Sequence, residues 1–110
     1  MNETKEQWLS RICDMHGLDE EDILMIAEMC LEDSETDLEF LKALNADGDI
    51  SMGINKAHSI KGSAANVGFT TLSDAAKTVE QQLKNSDFGN LQENVNKISS
   101  ALTEIKSVIG

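Results

Sequence analysis

The chain holds two histidines, two cysteines and one short run in which reactive and small residues meet: His58, Lys61 and Gly62. Neutral imidazole is a nucleophile, and histidine is the side chain whose charge changes near neutral pH. An in-line attack on a phosphoryl group needs a protruding nitrogen and close approach by the donor. On a helix, residues three and four apart are neighbours, so the ammonium of Lys61 can reach a phosphate carried at position 58 and neutralise its charge. Gly62, one turn beyond His58, removes the nearest obstruction. It also costs about 0.5–1 kcal/mol relative to alanine inside a helix, a local rule broken where function is expected. A lone helical histidine is often without a role, and a mid-helix glycine can serve helix packing, so these three residues by themselves leave both readings open.

The remaining candidates lead elsewhere. His16 stands beside Gly17 at a predicted helix end, where a cation suits the helix dipole, and reads as structural. Cys13 and Cys30 form neither a CxxC pair nor a Cys/His metal spacing, and both fall in apolar helical segments, so buried free thiols are expected. Asn45, Asp47 and Asp49 alternate like the first ligands of a calcium loop. The sixth position, which takes glycine, is Ile50, and the twelfth, which takes a bidentate carboxylate, is Lys56, so calcium is excluded. The residues three before the histidines are Asn55 and Cys13, not the glutamates of di-iron bundles. No metal site is expected. Among the methionines, Met1 reads as the initiator, Met15, Met25 and Met29 as core filler, and Met52 as packing at a helix end.

The elements that must position His58 are helical. There is no proline, and only Trp8, Phe40, Phe69 and Phe88 are aromatic, which permits long helices and disfavours a sheet. A first helix is predicted from about Glu3 to His16, with Trp8, Ile12 and Met15 on one stripe and Gly17 as its stop. Asp19 caps a second, running to about 45, with Glu20, Glu21 and Asp22 in its first turn. Its stripe is Ile23, Ile26, Ala27 and Cys30, then Leu38, Leu41 and Leu44, with a bend expected near Ser34 and Phe40 off the stripe. The third spans about 50–67. Its seam of Ile50, Gly53, Ala57, Ile60, Ala64 and Val67 faces a bundle, and Gly68 ends it. Thr71 to Asp74 and Asn90 to Glu93 carry capping patterns for two further helices, with stripes of Leu72, Ala76, Val79, Leu83 and of Leu91, Val95, Ile98, Leu102, Ile105, Ile109. At about 100° per residue, His58 points roughly 130° away from the third seam. Ser51, Asn55, Gly62 and Ala65 share its outward face, and Lys61 and Ile54 flank it.

These elements make an all-α, antiparallel four-helix bundle over residues 19–109, with an additional N-terminal helix, residues 1–17, packed on it: one domain across 1–110. The net charge of −11 repels nucleic acid and anionic membranes. The N-terminus is polar and acidic, unlike a secretory signal. No apolar run approaches the roughly 20 residues that span a bilayer. Reduced thiols fit the cytoplasm. A glycine-rich nucleotide loop is also missing, so self-phosphorylation from ATP is not expected.

The run from Ala57 to Gly68, AHSIKGSAANVG, resembles the signature of histidine-containing phosphotransfer (HPt) domains, a His-x-x-Lys-Gly-Ser core followed by small residues and a helix-ending glycine. The similarity extends over about residues 19 to 109, with the acidic-capped helix before the motif and, after it, a leucine-bearing helix with Glu80 near its middle. The resemblance implies a phosphoryl carrier, not an enzyme in its own right. His58 is then the acceptor, Lys61 assists electrostatically, and Gly62 admits the partner, with Ser51, Ile54, Asn55 and Ala65 around it for docking. The implied partners are response-regulator receiver domains and a hybrid sensor histidine kinase. The receiver supplies the aspartate and the Mg²⁺, and this chain binds no cofactor. The chain is expected to be monomeric. A pseudo-HPt adaptor that binds a receiver without phosphotransfer, or a plain helical interaction domain, are the competing readings.

Overall fold

The computed structural model describes residues 3–110. Met1, read as the initiator, and the first two positions of the 1–17 segment lie outside the described residues. Five helices follow in order, with no strand among the described residues: α1 Lys5–His16, α2 Glu20–Ala43, α3 Ile50–Asn66, α4 Thr70–Lys84 and α5 Leu91–Ile109.

The N-termini of the first three helices follow local chemistry. Thr4 and Gln7 form a reciprocal capping box on α1, and the Asp19 and Asp49 carboxylates accept from Asp22 N and Met52 N on α2 and α3. These bonds satisfy amides that have no partner within the helix. Gly17 and Gly68 leave α1 and α3 with φ of 67° and 74°, the left-handed geometry that glycine adopts without steric cost.

The capping patterns of α4 and α5 do not operate. Phe69 takes the position before α4, Thr71 lies inside the helix, and neither Phe69 nor Asn90 makes a side-chain cap bond. At α4 tertiary packing overrides the local signal. Phe69 is buried and its ring stacks on Trp8 at 5.3 Å between centroids, which fixes where the helix begins.

α3 packs against α2 and α4, α5 packs against α4 and α2, and α1 lies on α2. The core takes its residues from every helix, including Trp8, Ile12, Ile23, Leu41, Ile60, Leu72, Ile98 and Ile105. The α3 seam from Gly53 to Val67 is buried as its spacing requires. Gly53 is a packing glycine, because a Cβ there would stand 2.5 Å from Leu44 Cδ2. α2 is continuous through Ser34, which is buried.

Several sequence expectations are corrected. Met15, Met25 and Met29 are exposed rather than core, and Met52, read as packing at a helix end, is exposed as well. On α2 the inward stripe is already filled by Ile23, Ala27, Cys30, Leu31, Leu38 and Leu41, and Met25 and Met29 stand on the other face. Ile26 and Phe40 are half-buried against the core, and so is Cys13, while Cys30 is buried; both thiols are free. Burial pushes both thiols above their usual pKa, aided at Cys13 by Glu20, Asp19 and Asp14, so neither is an activated thiolate.

α1 holds the end of the His58-bearing helix. Trp8 Nε1 donates to Val67 O at 2.7 Å, Arg11 donates to Gly68 O at 3.2 Å, and His16 Nε2 lies 2.6 Å from Asn66 O. A carbonyl only accepts, so His16 carries its proton on Nε2. The structural reading of His16 acquires this content: three α1 side chains satisfy carbonyls at the C-terminus of α3 and in the turn just beyond it.

Candidate functional site

His58 and Lys61 project from adjacent turns of α3 toward Glu80 of α4. Glu80 sits on the α4 face next to Val79 and Leu83, so the helix that buries those apolar side chains buries the carboxylate with them. Its side chain is 4 % exposed, against 66 % for His58. A buried carboxylate must be paired, and this one meets three cationic or donor groups. His58 Nδ1 lies 2.9 Å from Oε2, Lys61 Nζ 2.7 Å from Oε1, and Lys84 Nζ, one turn along α4, 3.5 Å from Oε2. Ser73 Oγ donates to Lys61 O at 3.0 Å, a further tie between α3 and α4.

The ionisation of Glu80 fixes the state of His58. Burial opposes the charge, but hydrogen bonds from Lys61 and His58 and the charges of Lys61 and Lys84 outweigh it and hold the carboxyl below its ordinary pKa. An ionised carboxylate only accepts, so the short contact requires a proton on Nδ1. In the neutral ring Nε2 then carries the lone pair. With two-thirds of the side chain open to solvent and Nδ1 tied to the buried carboxylate, Nε2 is the nitrogen left to meet an incoming group.

Gly62 differs from Gly53: a Cβ there would meet nothing within 4 Å. The chain's own packing does not require glycine at this position. The predicted outward face is present at Ser51, Asn55 and Ala65, which are exposed with His58 and Gly62. Ile54 departs from it, half-buried against the core.

From sequence, Glu80 was part of the family pattern, near the middle of the helix after the motif, but had no role. In the residues themselves its signal was a charge immediately beside the apolar stripe of α4, and its partners lie 22 and 19 residues away.

The depressed Glu80 pKa makes a signed prediction. A carboxyl whose pKa is lowered on folding adds stability above its unfolded value, about 4.3 for glutamate, and loses it as pH falls through the lower folded value. At neutral pH Glu80→Gln should therefore destabilise the fold by about 1–3 kcal/mol, leaving a buried network short of its anion. That difference should begin to shrink below about pH 4.3 and be lost as pH falls through the lower folded value, where Glu80 too becomes neutral. Urea midpoints of both proteins between pH 7 and 3 measure it, and a gap that stays constant across this range contradicts the linkage.

A family model described as Hpt domain matches residues 25–108, from early α2 through nearly all of α5. No curated protein and no solved structure matches the chain.

Proposed function

The chain belongs to the Hpt domain family, whose members carry phosphoryl groups in phosphorelays, and on that premise we propose that it accepts a phosphoryl group on His58 from a receiver-domain aspartyl phosphate and passes it to another receiver aspartate. The observation that carries this reading is the His58–Glu80 hydrogen bond of 2.9 Å at an otherwise exposed ring. It assigns the proton to Nδ1 and leaves Nε2 as the nucleophile.

In the forward step the Nε2 lone pair attacks phosphorus, a P–N bond forms, and the acyl-phosphate P–O bond breaks with the receiver carboxylate as leaving group. The ring becomes cationic and keeps its Nδ1 proton, now held against the Glu80 carboxylate. A buried anion in place before the reaction stabilises charge that develops during it. Lys61 neutralises the arriving phosphoryl oxygens, and the gap over Gly62 gives the donor room. Return to a second aspartate is the same path reversed.

The family works with receiver and kinase proteins of two-component systems, and a hybrid sensor histidine kinase is the proposed source of the first receiver. Mg²⁺ comes with the receiver. Glu80, the carboxylate at His58, already faces Lys61, Lys84 and the ring. Ser51, Asn55 and Ala65 form the proposed docking surface with Gly62, and Ile54 packs beneath it.

We read the architecture as an antiparallel four-helix bundle, residues 19–109, with α1 added to it in a single domain. Short connections at 44–49, 67–69 and 85–90 separate α2, α3, α4 and α5, and connections of this length join antiparallel neighbours. No described helix is long and apolar enough to cross a membrane. The proposed setting is the cytoplasm and the proposed state a monomer that carries phosphate without autokinase activity. The adaptor reading is the weaker one, because an adaptor needs the shape of this face but not a nucleophile locked in one tautomer.

The test is transfer itself. The protein is mixed with a receiver phosphorylated with ³²P and with Mg²⁺, and label should move to it in an acid-labile, alkali-stable form, as a phosphoramidate requires. Absence of transfer from every receiver tried, or label that survives acid, overturns the proposal.

A further inference from the structure

Charge is divided unevenly between the two sides of His58. Residues 1–50 carry 15 acidic and 3 basic side chains, whereas residues 51–86 carry 2 acidic and 4 basic. Of these four cations Lys56 pairs with Asp37 of α2, and the other three belong to the α4 side of His58. On α4, Lys77 and Lys84 flank Glu80 at spacings of three and four, so they share its edge, and Lys61 joins them from α3. Lys77 and Lys84 are exposed. Glu80 offsets only one of the three charges.

The opposite side is the α3-facing edge of α2. Two contacts fix how these helices face each other: Cys30 Sγ lies 3.5 Å from Ser63 Oγ, and Lys56 Nζ 3.4 Å from Asp37 Oδ1. Asp33 falls between Cys30 and Asp37 on the same edge. Because the partners run in opposite order, Asp33 lies level with Ser59 and Ile60, beside His58. Asp33, its neighbour Glu32 and Met29 one turn away are exposed. Three α2 acids further along the helix have partners, Glu35 with Lys106, Asp37 with Lys56 and Glu39 with Lys42. The carboxylates of Glu32 and Asp33 have none among the described residues. The exposed face is thus polarised across the acceptor, cationic toward α4 and anionic toward α2, with the apolar Met29 on the anionic side.

We propose that this face selects its receiver by charge on both sides of His58: the anionic phosphoaspartate pocket meets Lys61, Lys77 and Lys84, and a Lys- or Arg-bearing patch beside that pocket meets Glu32 and Asp33. This rests on the receiver reading above and adds which receivers are accepted. Complementary charge chiefly raises the association rate and rejects wrong partners, through like charges brought together. A receiver with acidic residues beside its aspartate is turned away by α2 although its pocket suits α4.

The test uses purified ³²P-labelled receivers with Mg²⁺, some with basic and some with acidic residues beside the phosphoaspartate. Acceptors are the wild type, Glu32→Lys/Asp33→Lys and the neutral Glu32→Gln/Asp33→Asn. Each rate is normalised to labelling of the same variant by phosphoramidate, a small donor that needs no docking surface. The lysine variant should accept about tenfold more slowly from basic-flanked receivers at low salt. It should accept faster from acidic-flanked ones, the neutral variant lying between. The differences should fade near 1 M salt, where the screening length falls to about 3 Å. Normalised rates within about twofold of wild type for every receiver at low salt overturn the proposal, and the neutral variant decides in the same way should the lysine variant not fold. If phosphoramidate labels His58 but no receiver does, the receiver reading itself fails and the selection falls with it.

Discussion

His58→Gln is expected to abolish phosphoryl acceptance from receivers and from phosphoramidate alike, down to the unlabelled background, while the helical fold survives. The loss is total because no second group can substitute. His16 is the other histidine, and its Nε2 is engaged on Asn66 O at the far end of α3. Glutamine is the informative replacement. Its amide can donate to Glu80 Oε2 as Nδ1 does, so the buried carboxylate keeps a donor besides Lys61 and Lys84. A substitution at a largely exposed position away from special backbone geometry usually changes stability by about 0.5 kcal/mol or less, so circular dichroism and the urea midpoint should remain close to wild type. His16→Ala should behave in the opposite way. It removes a group bonded to the C-terminus of α3 and should lower stability while leaving the label intact. Full labelling of His58→Gln would show that the acceptor is another residue.

The two halves of the site differed in how readable they were. The outward direction of His58 follows from the α3 seam, because six small or apolar residues at alternating three and four spacing leave little choice of face. Gly62 stood out too, since glycine within a regular helical pattern demands a reason, but only the structure separates it from Gly53: a Cβ would meet Leu44 at position 53 and nothing within 4 Å at position 62. Glu80 was not readable in the same way. Its role depends on the rotation of α4 against α3, and a charge at the edge of an amphipathic stripe is ordinarily a solvated one. The methionines failed for a related reason. Met25 and Met29 repeat at helical spacing, but so do Ile23, Ala27 and Cys30, and only packing decides which stripe turns inward. At α4 the capping pattern from Thr71 lost to one aromatic: the burial of Phe69 on Trp8 outweighs a cap bond of about 1 kcal/mol. Long-range hydrogen bonds from α1 to Asn66, Val67 and Gly68 have no local signature at all, yet they anchor the helix that carries His58.

Gly62 provides the second large effect, because it separates the needs of the fold from those of the partner. A Cβ at this position meets nothing within 4 Å, and glycine inside a helix costs about 0.5–1 kcal/mol relative to alanine. Gly62→Ala is therefore expected to stabilise the protein by about that amount, and Gly62→Gln, also a good helix former, to stabilise it as well. Transfer should move the other way. A glutamine side chain one turn from His58 stands on the path of a receiver that must bring phosphorus into line with Nε2, and displacement of about 1 Å at a reacting centre can cost on the order of 100-fold. Rates from a labelled receiver should fall by that order for Gly62→Gln and much less for Gly62→Ala. Labelling by phosphoramidate, normalised to protein, distinguishes blocked docking from a damaged nucleophile. A glutamine variant that is more stable and transfers at the wild-type rate would mean that the open space above Gly62 is not where the receiver docks. A variant that is more stable and transfers slowly would show that the chain gives up helix stability at one position to leave its acceptor reachable.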